Sequence, residues 1–166
     1  MRWPRTSGVA RQRCAADGLG ESERTCARTV AKQWLTRGIP GALRNAPYVD
    51  NSYKWAGGEF LSTAEDLALF GSALLQPGFL QPESLRQLFT SQKTSDGEET
   101  GYGIGWFVGR SKSGQKVYAH DGGAVGGSSR LLLYPDAHMV VAMICNFEGG
   151  WQADEVESVG EAFEKK

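Results

Sequence analysis

Apolar positions follow two regimes along the chain. Through residue 45 they are isolated: Trp3, Val9, Leu19, Val30, Trp34 and Leu35 share neither a helical nor a strand period, and only residues 23–35 admit a helix. Beyond residue 45 the spacing becomes regular. Residues 46–60 read as a loop punctuated by Pro47, Asp50, Asn51 and Gly57-Gly58. Ser62-Thr63-Ala64-Glu65 has the form of a capping box, with the Ser62 hydroxyl on the Glu65 amide. The helix that follows puts Leu67, Phe70, Gly71 and Leu74 on one face, at the three-to-four spacing of a core-facing helix. Gln76-Pro77-Gly78 ends it. Pro82 suits the first turn of a second helix, whose apolar stripe is Leu85, Leu88 and Phe89. Residues 95–99 form a solvated loop.

Strand patterns dominate from there. Residues 102–108 are aromatic and branched with glycines interleaved. Ser111-Lys112-Ser113-Gly114 is a turn, and residues 115–120 return, so the pair reads as a hairpin. The glycines of residues 122–127 interrupt the pattern. Residues 129–134 form a third strand, Pro135-Asp136 a turn, and residues 139–145 a fourth strand. That last strand is apolar on both faces, which predicts a central position. After a break at 146–150, residues 151–164 predict a closing helix with Val156, Val159 and Phe163 inward and five acids outward. Helices, then meandering strands, then a helix imply the α+β class: an antiparallel sheet flanked by helices.

Composition narrows the functional classes. The chain has 166 residues, enough for one domain. Its longest strongly apolar run, residues 139–145, falls well short of the roughly 20 residues that cross a bilayer, so no membrane span is expected. A net charge of −1 gives no global reason for a nucleic-acid partner. Cys14, Cys26 and Cys145 form no Cys-x-x-Cys, which argues against a structural metal site or a disulfide scaffold. Cys145 reads as a small buried hydrophobe. The charge is nonetheless asymmetric: residues 1–45 carry nine Lys and Arg against three acids, and residues 46–166 carry nine against sixteen. Three origins compete for the basic segment: a transit peptide, a nucleic-acid-binding arm, or a stretch foreign to the domain behind it, produced by gene truncation or a shifted reading frame. It does not read as a secretory signal, because no apolar core follows the first arginines.

Chemistry concentrates in His120-Asp121-Gly122-Gly123-Ala124-Val125-Gly126-Gly127. Histidine changes charge near neutral pH. Glycines let backbone approach a ligand, and amides freed from a ladder can face a developing oxyanion. Together they suit one wall of an acyl-transfer site, set against the plainer reading of a glycine-rich bulge with a surface histidine. No helix follows the glycines, so a dinucleotide site does not fit. Ser113-Gly114-Gln115-Lys116 matches Ser-x-x-Lys, but it lies across a hairpin turn, where serine and lysine are not one helical turn apart. His138 reads as a surface histidine, and Trp55, Tyr102 and Trp106 suit either a pocket wall or, more simply, the core.

Several stretches, in order, resemble one family. They are Tyr53-Lys54-Trp55-Ala56-Gly57-Gly58, Leu61-Ser62-Thr63-Ala64-Glu65-Asp66-Leu67, Gly101-Tyr102-Gly103-Ile104-Gly105-Trp106, His120-x-Gly-Gly-x-x-Gly, the Leu131 to Pro135 strand end, and the apolar strand running to Asn146. From about residue 45 the sequence is similar to the C-terminal part of the beta-lactamase-related serine hydrolases. These include class C beta-lactamases, D-alanyl-D-alanine carboxypeptidases (penicillin-binding proteins) and related esterases. The resemblance implies a partial beta-lactamase/transpeptidase-like fold over residues 46–166. It also implies acyl-enzyme chemistry on a small-molecule or peptide substrate, without metal or cofactor. His120-Asp121-Gly122 resembles the family's Lys/His-Thr/Ser-Gly motif, which implies that His120 holds substrate and tunes proton transfer. The resemblance also implies that the Gly123 amide is half of an oxyanion hole. The implied catalytic residues are therefore His120, Gly122 and Gly123, and the implied substrate-binding residues His120, Asp121, Gly123 and Ala124. Asp121 stands where the family has a hydroxyl, and its anion is expected to disfavour penicillin-type carboxylates relative to esters or peptides. The family's upstream Ser-x-x-Lys and Tyr-x-Asn are absent from residues 1–60, and Tyr48-Val49-Asp50-Asn51 has the wrong spacing. The expectation is the C-terminal portion of a serine hydrolase, inactive alone, with self-association or complementation by an N-terminal half as its partnerships. The alternative is a non-catalytic assembly or binding module on the same fold.

Overall fold

A computed structural model describes residues 34–35, 44–47, 49–50, 53–54, 57, 62–148 and 153–164. Of the helix expected over 23–35, only Trp34 and Leu35 lie among these, and they form strand β1 (Trp34–Leu35), paired antiparallel with β2 (Arg44–Asn45). Helix α1 (Ala64–Leu75) starts one residue later than the capping box predicts. Thr63 is its N-cap, with its hydroxyl accepting from the Asp66 amide at 3.1 Å. The reason is positional: with Ala64 as the first helical residue, Asp66 supplies the third free amide, the usual target of a cap. Helix α2 (Pro82–Leu88) carries proline in its first turn, as expected.

Strand β3 (Phe107–Arg110) is shorter than the stretch read from the sequence. Residues 101–106 instead fold back as a tight turn: the Gly103 amide donates to the Trp106 carbonyl at 2.7 Å and the Val108 amide to the Gly101 carbonyl at 2.8 Å. Glycine is required at 103 because a Cβ there would overlap the Leu88 carbonyl. Strands β4 (Lys116–Ala124), β5 (Gly127–Tyr134) and β6 (Met139–Cys145) complete an antiparallel meander, ordered β3-β4-β5-β6. Helix α3 (Ala153–Glu164) closes the described chain.

Helices cover both faces of this sheet. On one, α1, α2 and the loop between them pack on Trp106, Tyr118, Leu131 and Leu133; on the other, Val156 of α3 sits with Val117, Ala119, Leu132, Tyr134 and Val141. Two-sided cover explains why Leu131-Leu132-Leu133-Tyr134 is buried without alternation. It also corrects the placement of residues 139–145. Among the described residues β6 is an edge strand and β5 is central, because apolarity on both faces reports helices above and below, not neighbours at the side. The face of α3 differs as well. Val156 is fully buried, but Val159 and Phe163 are exposed, while Glu157 turns toward Arg130. Phe70 is likewise exposed on α1, edge-on to Phe79. No helix among the described residues is long and apolar enough to cross a membrane.

Candidate active site

The geometry of residues 120–124 follows from where β3 begins. β3 pairs with β4 from Arg110↔Lys116 to Phe107↔Ala119. Beyond Ala119, β4 has β5 on one side, and no described strand pairs with its other edge. The glycines do not break the strand, as the pattern suggested. Gly122 and Gly123 remain in β4, opposite Ser129 and Ser128, and the chain turns only at Val125-Gly126, where Gly126 has φ +75°.

Register decides which amides face the open edge. In an antiparallel ladder, alternate residues exchange hydrogen bonds with the partner strand and the others point away from it. The Val108 amide bonds to Gly101, away from β4, so Phe107 and Ala119 form the hydrogen-bonded pair on that side. Counting by twos from Ala119, Asp121 and Gly123 point their amides to the same side, where no described strand pairs. The opposite edge agrees. Ala124 and Gly127 close a two-residue turn as the hydrogen-bonded pair, which leaves Gly123↔Ser128 facing away from each other. A Cβ placed on Gly123 would meet nothing within 4 Å.

Side chains divide between the two faces. His120 lies on the α1/α2 side, exposed, with the buried Trp106 ring edge-on at 6.4 Å. Trp106 in turn packs edge-on against Phe89 at 5.5 Å. Asp121 projects to the α3 side. There Arg130, its cross-strand neighbour, places Nη1 2.8 Å from both carboxylate oxygens and Nη2 3.4 Å from Glu157. The expected free anion is thus held by a guanidinium, on the face opposite His120. Arg130 was not singled out by sequence reasoning, although an arginine within an apolar strand was the available signal.

Other sequence candidates lie apart from this edge. Ser113 sits in the β3–β4 turn with its hydroxyl 2.8 Å from that of Ser111. Lys116 opens β4, four residues and about 13 Å from His120 at ~3.3 Å per residue. The two are not stacked on a helix. His138 is exposed, in the turn after Pro135. Among the described residues no group of three or more His, Cys, Asp or Glu is placed to hold a metal ion.

An antiparallel sheet with helices on both faces fits the fold of the serine hydrolases related to beta-lactamases. The chain belongs to that family: it matches the Beta-lactamase family model over residues 16–161. Similar proteins include the mitochondrial serine beta-lactamase-like protein LACTB of Bos taurus, 40% identical over 144 aligned positions that cover 64% of this chain and 26% of the relative. Human LACTB is 38% identical with the same coverage. Penicillin-binding protein 4* of Bacillus subtilis is 30% identical over 87 positions, covering 52% of this chain and 19% of that protein. The chain therefore spans about a quarter of the length of the LACTB relatives. A D-stereospecific amidohydrolase from Streptomyces shares the fold, with a TM-score of 0.61 at 24% identity over 81% of this chain and 39% of its own.

Proposed function

We propose that residues 46–166 form the oxyanion-side wall of a serine acyl hydrolase, and that a serine–lysine pair outside these 166 residues completes the site. The observation that carries this reading is the Gly123 amide at the open edge of β4, three residues from His120. In acyl transfer the serine oxygen attacks the carbonyl carbon and negative charge moves onto the carbonyl oxygen. A preorganised amide donor there is worth roughly a hundred- to a thousandfold in rate. Gly122, where a Cβ would overlap the Ser129 hydroxyl, and Ala124 flank that donor within β4. His120 borders the substrate and tunes the proton path between serine, base and leaving group. Asp121 pairs with Arg130 but is half exposed and shares that guanidinium with Glu157, so its anion is screened rather than removed, and esters or peptides are favoured over carboxylate-bearing substrates. Amides, esters and beta-lactams are the substrate class. The names of the LACTB and penicillin-binding relatives support serine chemistry.

The Ser-x-x-Lys at Ser113–Lys116 does not supply the nucleophile, because its base is not in line and both residues sit at the far end of β4. The purified chain should therefore show no turnover of nitrocefin or p-nitrophenyl esters. Co-expression with a polypeptide carrying the family's Ser-x-x-Lys and Tyr-x-Asn should restore ester hydrolysis that depends on Gly123 and His120. Activity of the chain alone that disappears in Ser113→Ala would overturn the proposal.

One observation favours the alternative of a non-catalytic assembly module. β6, at the edge of the described sheet, carries no charged residue, and such edges invite pairing with another chain. Reversible self-association in sedimentation velocity, together with failure of complementation, would favour that reading.

A further inference from the structure

We propose that a groove at the other end of β4 binds a small amphiphilic carboxylate, with Lys116 holding the head group. The groove is open to solvent and offers about 320 Å³ between the end of α1, one side of α2, and the start of β4, at the small end of the ~300–1,000 Å³ range of ligand sites. Its floor is apolar and preformed. Leu74 and Tyr118 are buried, and the Phe89 ring lies flat on Tyr118, with centroids 4.0 Å apart and planes 8° apart. Leu75 and Leu85 wall it. These surfaces suit an aliphatic chain.

The rim is cationic. Among the described residues, Arg86 and Lys116 line the groove and no acidic side chain does. Arg86 is already committed, with Nη2 2.6 Å from Glu83. Lys116 differs. Among the described residues it forms no ion pair, and its ammonium rests 5.2 Å from the centre of the Tyr118 ring. A cation over an aromatic face keeps donors free for an incoming anion. The ligand that matches both features has one carboxylate and a short apolar tail. Lys116 and His120 point to the same face of β4 but lie four residues apart, so this groove is separate from the proposed oxyanion edge and does not depend on it.

Decanoate, below its micelle-forming concentration, is the probe. Titrated into the ¹⁵N-labelled 166-residue chain, it should shift the amide signals of Lys116, Tyr118 and Phe89 saturably. Loss of one charge-assisted hydrogen bond should weaken binding about tenfold in Lys116→Glu, and by several-fold in Lys116→Gln, which retains the stem. Acetate, which lacks the tail, and decyltrimethylammonium, which reverses the charge, should both bind more weakly than decanoate. Circular dichroism of the exposed-site variants should match the parent. The proposal is overturned by unchanged decanoate affinity in both variants, by equal affinity for the cationic detergent, by acetate binding as tightly as decanoate, or by shifts that map away from α2 and β4.

Discussion

Asp121 and Arg130 face each other across β4 and β5, and a single guanidinium nitrogen lies 2.8 Å from both carboxylate oxygens. The pair is lopsided. The Arg130 side chain is 11% exposed and Asp121 49%, while the second acid, Glu157, is 17% exposed. Asp121→Asn should therefore cost less than about 1 kcal/mol, as for a solvent-screened pair. Arg130→Ala should cost roughly 2–3 kcal/mol, because it strands Glu157 beneath α3. Urea denaturation of the two variants measures the asymmetry, and equal losses would contradict it.

Two glycines hold helices against the sheet. A Cβ on Gly71 would approach Val140 Cγ1 to 2.7 Å, and one on Gly160 would come within 2.7 Å of the Tyr134 hydroxyl. Alanine at either position should destabilise by about 1–3 kcal/mol through overpacking, despite the better helix propensity of alanine. Gly123→Ala, with open space at its Cβ, should stay within about 0.5 kcal/mol of the parent. Thermal melts of the three variants test the ranking.

Removing the Gly123 amide is a sharper probe than adding a methyl. Proline lacks the N–H and is tolerated in strands where that hydrogen faces away from the ladder. Gly123→Pro should keep the far-ultraviolet spectrum of the parent. In the complemented enzyme, its kcat for a p-nitrophenyl ester should fall about a hundred- to a thousandfold. A variant that folds and turns over normally would remove Gly123 from the oxyanion role.

The cap of α1 distinguishes two neighbouring hydroxyls. Thr63→Ala should cost about 1 kcal/mol, since it orphans the Asp66 amide. Ser62→Ala should be close to neutral, because that hydroxyl makes only a 3.5 Å contact with the Thr63 carbonyl.

In the 94–98 turn, the Thr94 hydroxyl, followed by the Asp96 backbone amide, holds the Asp96 carboxyl below the ordinary carboxylate range. A depressed folded-state value means that this contribution is present above the unfolded value and is lost as pH falls through the folded one. Thr94→Val should move the Asp96 titration upward toward an unperturbed aspartate. Carboxyl-carbon NMR titration reads the shift directly, and an unmoved midpoint would contradict the assignment.

Legibility followed the range of the interactions. Local signals were enough for the turn at 111–114, the proline start of α2 and the stop of α1 at Gln76, because each depends on residues within a few positions of one another, and the order of the elements was enough for the class of the fold. The cap slipped by one residue because Ser62 and Thr63 offer the same chemistry, and only the start of the helix chooses between them. In the candidate site, the sequence pointed to the stretch from His120 onward but took its glycines for a break.

What the amino-acid order determined alone was therefore periodic: which positions are apolar, where helices and turns fall, and where histidine and glycines cluster. Tertiary structure decided the rest. Among the described residues it put β6 at an edge, turned Glu157 inward and Phe163 outward, tied Asp121 to Arg130, and aimed the Gly123 amide at the side of β4 where no strand pairs. Each of these depends on partners far along the chain. Whether an amide joins a ladder or faces away depends on the parity of a register, and a single sequence does not encode that parity until two strands meet.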